Sequence, residues 1–159
     1  MNLRLPSGLS ARRGVTFLEL MVVVVIMGVV GSMSMGRFHT LMVQQRIGRA
    51  ASVVRNDLEA AFTIATRNRR PVRISWDEET MQLAITDRAD SRHYRSTNLG
   101  KDPYGLTDGM VTASRSPVEV YPNGLANDAL IITFIANGEK KEVRMSRAGL
   151  VEIRLVKIP

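Results

Sequence analysis

Arg12-Arg13-Gly14-Val15-Thr16-Phe17-Leu18-Glu19-Leu20 runs straight into an unbroken apolar stretch, residues 21–30. No other feature limits the chain so strongly. Read as helix, residues 15–36 extend about 33 Å at 1.5 Å per residue. That matches a hydrocarbon core of roughly 30 Å. One carboxylate, Glu19, lies just inside this segment. A charge within a membrane span costs about 3 kcal/mol on insertion scales, which marks Glu19 as a functional position. A buried carboxylate is tolerated when it is protonated or meets a partner.

A secretory signal peptide would share the basic leader but not the rest. The apolar run is too long, no A-x-A site follows it, and Glu19 interrupts its start. An ordinary single-span anchor would explain the length yet give Gly14 and Glu19 no role. Arg4, Arg12 and Arg13 precede the segment while Arg37, Arg46 and Arg49 follow it, so charge bias does not orient it.

Gly14, Val15, Thr16, Leu18, Glu19 and residues 20–23 together resemble the class III signal of type IV pilins and type II secretion pseudopilins. The resemblance implies that a prepilin peptidase cuts after Gly14, on the cytoplasmic side, and that Val15 becomes the methylated first residue. The family usually begins its mature chain with Phe, and Val15 stands there here. Glu19 is then the fifth mature residue. In the family this glutamate pairs with the methylated amine of a neighbouring subunit, which sets the register of assembly. Gly36 falls where the family commonly carries a proline.

Gly28, Ser32 and Gly36 recur every fourth residue and form a small-residue stripe on a helix, where another backbone can come close. Such spacing also arises by chance in a span containing Gly and Ser. Beyond the apolar segment, Ile47, Ala51, Val54, Leu58, Ala61, Phe62 and Ala65 continue at steps of three and four. This predicts an amphipathic continuation over 37–70. Arg49, Arg55, Asn56, Glu59 and Thr63 lie on the opposite face. Pro71 stops the pattern, and Arg67, Arg69 and Arg70 suit the helix's C-terminal dipole. One helix over about 15–69 is expected.

After Pro71 the period becomes two. Residues 72–76 and 81–86 alternate on either side of Asp77-Glu78-Glu79-Thr80 and predict a hairpin. Residues 87–117 are expected to be irregular, with one short strand near 93–95. Further strands are expected at 118–121, 130–136, 141–146 and 150–158. Asn137-Gly138 is a two-residue hairpin turn.

The segment VEVYPNGLANDALIITF (118–134), the Asn-Gly hairpin and VRMSRAGLVEI (143–153) are similar to minor pseudopilins of the GspH/FimT kind. The expected fold class is α+β: a long N-terminal helix packed on an antiparallel head of two small sheets. The expected division is a leader at 1–14, a transmembrane half-helix at 15–36, an amphipathic half-helix at 37–70 and a β head at 71–159. The resemblance implies an inner-membrane, single-pass subunit with a periplasmic head. Its partners would be other pseudopilins or pilins, the prepilin peptidase and inner-membrane lipid. The implied role is structural, as a minor pseudopilin of type II secretion. The other reading is a minor type IV pilin of the FimT/FimU kind.

The composition sets the remaining bounds. Without its three leader arginines the chain holds 19 basic against 15 acidic residues, a mild excess. There is no cysteine, so neither a disulfide nor a thiolate metal site is available. Asp87, Asp90, Asp102 and Asp108 match no calcium-loop spacing. His39 and His93 are the only histidines, and no catalytic motif surrounds them. No enzyme activity, cofactor or metal is expected. Arg67, Arg69, Arg70 and Arg73, and again Arg88, Arg92 and Arg95, form basic clusters that raise DNA as a further partner. Few aromatics accompany them, and a solvated helix end and loop is the simpler reading.

Overall fold

The computed structural model describes residues 15–157, and side chains there except for 33–40 and 157. Helix α1 is Phe17–Asn68. Its start is built by Thr16, whose Oγ1 accepts a hydrogen bond from the Glu19 amide at 3.3 Å. The Thr16 carbonyl accepts from the Leu20 amide at 3.2 Å. Thr16 is thus the N-cap and Glu19 the third helical residue, the spacing of a capping box. At the other end, Arg69 adopts a left-handed φ of 52°. The Arg70 amide donates to the Ala65 carbonyl at 3.3 Å. This closes the helix as a Schellman turn just before Pro71.

Contacts divide the chain into two units, Met1–Phe38 and His39–Pro159. In the first, the described apolar side chains from Val15 to Val30 are solvent-exposed. No helix is long and apolar enough, among the described residues, to cross a membrane. The first stretch of α1 with described side chains ends at Ser32. From Phe17 this is about 24 Å, short of a hydrocarbon core. The span expected over 15–36 extends past it.

In the second unit the core is continuous. From α1 it takes Ile47, Ala50, Ala51, Val54, Leu58, Ala61 and Ala65, all buried. Phe62 is half-buried against the same cluster. The predicted amphipathic stripe is therefore the packed face, and Ala50 joins it.

Two four-stranded antiparallel sheets complete the unit. The strands are β1 Val72–Asp77, β2 Gln82–Asp87, β3 His93–Asn98, β4 Val111–Ala113, β5 Val118–Val120, β6 Leu130–Ala136, β7 Glu139–Met145 and β8 Val151–Lys157. The first sheet is ordered β3-β2-β1-β5 and the second β4-β6-β7-β8. β1 and β2 pair from Val72 opposite Asp87 to Asp77 opposite Gln82. Val72, Ile74 and Trp76 are buried while Arg73 and Ser75 are only partly covered, the period-two signature of a half-buried strand. Asn137 (φ 50°) and Gly138 (φ 78°) form the tight β6–β7 turn with both residues left-handed.

The expectation for 87–117 needs correcting. β3 is six residues long rather than a short segment near 93–95, and β4 was not foreseen. β3 reads His-Tyr-Arg-Ser-Thr-Asn, an edge strand with no fully buried position, so it lacks the alternation that reveals a strand. β4 has three residues, too few to show a period.

Candidate assembly site

The candidate residues of the N-terminal segment are only partly within view. Gly14 lies outside the described residues, as does the side of the helix at Gly36. Val15 and Glu19 are described, and both are exposed. Glu19 stands in the first turn of α1, where a carboxylate faces the positive end of the helix dipole. Gly28 has no heavy atom within 4 Å of where a Cβ would sit. The Ser32 hydroxyl donates to the Val29 carbonyl at 2.8 Å, so it is satisfied within its own helix. Gly28 and Ser32 thus present small, satisfied, open positions on an apolar helix. The structure brings Thr16 to Glu19, a link that the T-x-x-E spacing encodes and that the cleavage-site reading passed over.

In the head, the arginines of the two basic clusters are largely occupied. Arg70 lies 3.8 Å from Asp87 and 3.7 Å from Asp90. Arg73 and Arg88 both reach Glu119 at 3.4 Å. Arg95 meets Asp57 at 2.5 Å. Arg67, Arg69 and Arg92 have no ion pair among the described residues. The paired arginines offer a polyanion less free charge than the sequence alone suggests.

Asp57 is a position that sequence reasoning missed. It is a helix residue with 1% exposure, lying between Val54, Leu58 and Ala61 on the core face. The Thr97 hydroxyl donates to its Oδ2 at 2.6 Å. With Arg95 on the same strand, this ties α1 to the polar edge strand β3. Burial raises the Asp57 carboxyl above its ordinary value, against the opposing pull of Thr97 and Arg95. The signal was available: a carboxylate three residues after Val54 and four before Ala61 must face the core.

Two other carboxylates are held in their charged form. Asp87 accepts from the Ala89 amide at 2.8 Å and the Tyr94 hydroxyl at 2.9 Å. These bonds, with Arg70, lower its pKa. Glu142 sits between Lys140 at 2.8 Å and Arg144 at 2.6 Å, which lower its pKa likewise. Among the described residues no group of acidic or histidine side chains is placed to hold a metal ion.

The family described as the prokaryotic N-terminal methylation motif matches residues 9–35. Among solved structures, the type IV minor pilin FimU of Pseudomonas aeruginosa is similar in two crystal forms. One gives a TM-score of 0.55 at 18% identity, covering 70% of this chain and 90% of FimU. The other gives 0.53 at 17% identity, covering 67% and 91%. The minor pseudopilin EpsH from the type 2 secretion system of Vibrio cholerae gives 0.47 at 16% identity, covering 69% and 95%. No curated protein matches the chain. The chain thus carries an N-terminal methylation motif ahead of a long helix whose second half packs on paired antiparallel sheets, an α+β fold similar to that of FimU.

Proposed function

We propose that this chain is a minor pseudopilin of a type II secretion system. It is made as an inner-membrane precursor with residues 1–14 on the cytoplasmic side and the head in the periplasm. A prepilin peptidase cuts between Gly14 and Val15 and methylates Val15. Residues 15–36 anchor the chain, with Gly28, Ser32 and Gly36 offering a close-packing face to another subunit's helix. Glu19 meets the freed amine of a neighbour's Val15. Pairing removes an exposed charge from lipid, so the correctly registered subunit is the stable one. The protein carries out no catalysis and takes no cofactor. Its substrate is the next subunit.

The matched motif over residues 9–35 is the single observation that carries the processed filament-subunit part of this reading. A second reading, a minor type IV pilin acting in pilus assembly or DNA uptake, is favoured by the fold shared with FimU. Deletion of the chain from its host separates the two. Loss of protein secretion with intact piliation supports the pseudopilin. Loss of pili or of transformation with intact secretion supports the pilin. Duplex DNA binding that weakens steeply with salt would favour the DNA-uptake form of the second reading.

A further inference from the structure

The loop between β3 and β4 stands against the flank of α1 and forms a cleft with it. Leu99 and Leu106 fix the base of the loop in the core, where the Leu106 amide donates to the Leu99 carbonyl at 3.0 Å. Asn98 Oδ1 accepts from the Gly100 and Lys101 amides at 3.0 and 3.1 Å. The Lys101 carbonyl accepts from the Tyr104 and Gly105 amides, each at 3.0 Å. The tip, residues 101–105, is therefore a closed turn with its own hydrogen bonds. A Cβ on Gly105 would lie 3.6 Å from Arg46 Nη1, so Arg46 reaches from the helix to this turn. Two adjoining hollows of about 650 and 460 Å³ run along α1 here and share Gln45, Arg49 and Pro103. Ligand pockets span roughly 300–1,000 Å³.

Three charged side chains line the smaller hollow: Arg46, Arg49 and Asp102. None of them has an ion pair among the described residues. Arg46 and Arg49 lie one helical turn apart and offer two guanidinium forks that phosphate oxygens can bridge. Asp102 shares the hollow, so a simple anion would also meet a carboxylate. A phosphodiester that carries an amine meets an opposite charge at each place. Met42 lines the same hollow and is 58% exposed, beside Leu41 at 53%. In sequence it follows Gly36, the end of the expected span, by six residues. We infer that this cleft binds an aminoalkyl phosphodiester, the headgroup of a phospholipid with a primary amine. Arg46 and Arg49 donate to its phosphate, its ammonium donates to Asp102, and its first apolar carbons rest on Met42. A lipid as the source rests on the membrane-anchor reading above, whereas the headgroup chemistry rests on the cleft alone.

The full-length chain, purified in detergent, is titrated in native mass spectrometry with short-chain phosphatidylethanolamine, phosphatidylcholine and phosphatidylglycerol. The ethanolamine lipid should bind about tenfold more tightly than either of the others, because each of those lacks the N–H that Asp102 accepts from. Arg46→Gln combined with Arg49→Gln should weaken that binding about tenfold. Asp102→Asn should remove the preference over the choline lipid. All three positions are exposed, and an unchanged unfolding midpoint shows that the variants are folded. Equal affinity for the three lipids, tighter binding of phosphatidylglycerol, or wild-type affinity in the double variant overturns the inference. Glycerophosphoethanolamine, a headgroup without acyl chains, separates the two sources. Weaker binding than the lipid, with the difference lost in Met42→Ser, supports the lipid. Binding as tight as the lipid's supports a soluble phosphodiester at the same site. Failure of an excess of it to displace the lipid overturns the headgroup site. A chain found free of membranes in its host would instead overturn the anchor reading.

Discussion

Two proposed roles are to be separated at Glu19. Thr16 accepts from its amide, and a glutamate at that position has the spacing of a capping box. A capping role needs only a side-chain acceptor, which Gln also supplies. Charge pairing with a freed amine needs the carboxylate itself. Glu19→Gln and Glu19→Ala should therefore both be cleaved normally and both fail to enter filaments. Precursor and mature masses, followed by filament fractionation, check this. Incorporation of Glu19→Gln at the wild-type level would reduce Glu19 to a cap.

Two buried carboxylates in the head give opposite pH dependences. Glu142 has a lowered pKa, so its stabilising effect is present above the ordinary value of 4.5 and lost as pH falls below it. Glu142→Gln should lower the denaturant midpoint at neutral pH, by about 1 kcal/mol in stability, and converge with wild type in acid. Asp57 has a raised pKa, so its contribution is greatest in acid and declines as pH rises from its ordinary value of 3.8. The stability of wild type relative to Asp57→Asn should thus fall over that interval. A relative stability that rises there would show that Arg95 and Thr97 outweigh burial.

Among the elements, α1 and the sheets depend on one another for their buried faces. Leu58 is fully buried at the centre of the helix's packed stripe. Leu58→Ala should cost about 2–5 kcal/mol, the usual range for a cavity in a packed core. Gly149 opens β8 at φ 85° with the Phe62 ring 3.3 Å from its would-be Cβ. Gly149→Ala combines a left-handed backbone with a tight contact and should cost about 1–3 kcal/mol. Equilibrium unfolding of the detergent-solubilised chain measures both. Wild-type stability in either variant would mean that the helix–sheet contact contributes little.

The elements that stood out in the sequence are those whose burial repeats along the chain. Ile47, Val54, Leu58 and Ala65 announce a helix face, and Asn137-Gly138 can hardly be anything but a hairpin turn. β3 escaped because its side chains bond sideways and inward to polar groups, Tyr94 to Asp87 and Thr97 to Asp57, rather than burying apolar area at every second position. Asp57 escaped for the converse reason. It is a charge on an apolar stripe, and its partner Arg95 lies on a strand whose extent was not apparent. In the N-terminal segment the motif was legible because it is written in consecutive residues, Arg12 to Leu20.

At the level of the whole molecule, motif and head carry different kinds of information. The matched segment, 9–35, carries the N-terminal methylation motif. The head, His39–Pro159, specifies a pilin-like core with its own buried helix face. In the proposed function processing joins them, because removal of the leader would create the amine that Glu19 of a neighbour requires. Blocking the cut with Gly14→Val should leave an intact head on an uncut precursor that stays out of filaments.

The N-terminal residue of the protein isolated from its host tests this most directly. Sequencing and intact mass should give a chain that begins at Val15, carries one methyl group on its amine and lacks residues 1–14. A chain that retains residues 1–14, or that begins at an unmethylated residue elsewhere, would contradict its assignment as a processed filament subunit.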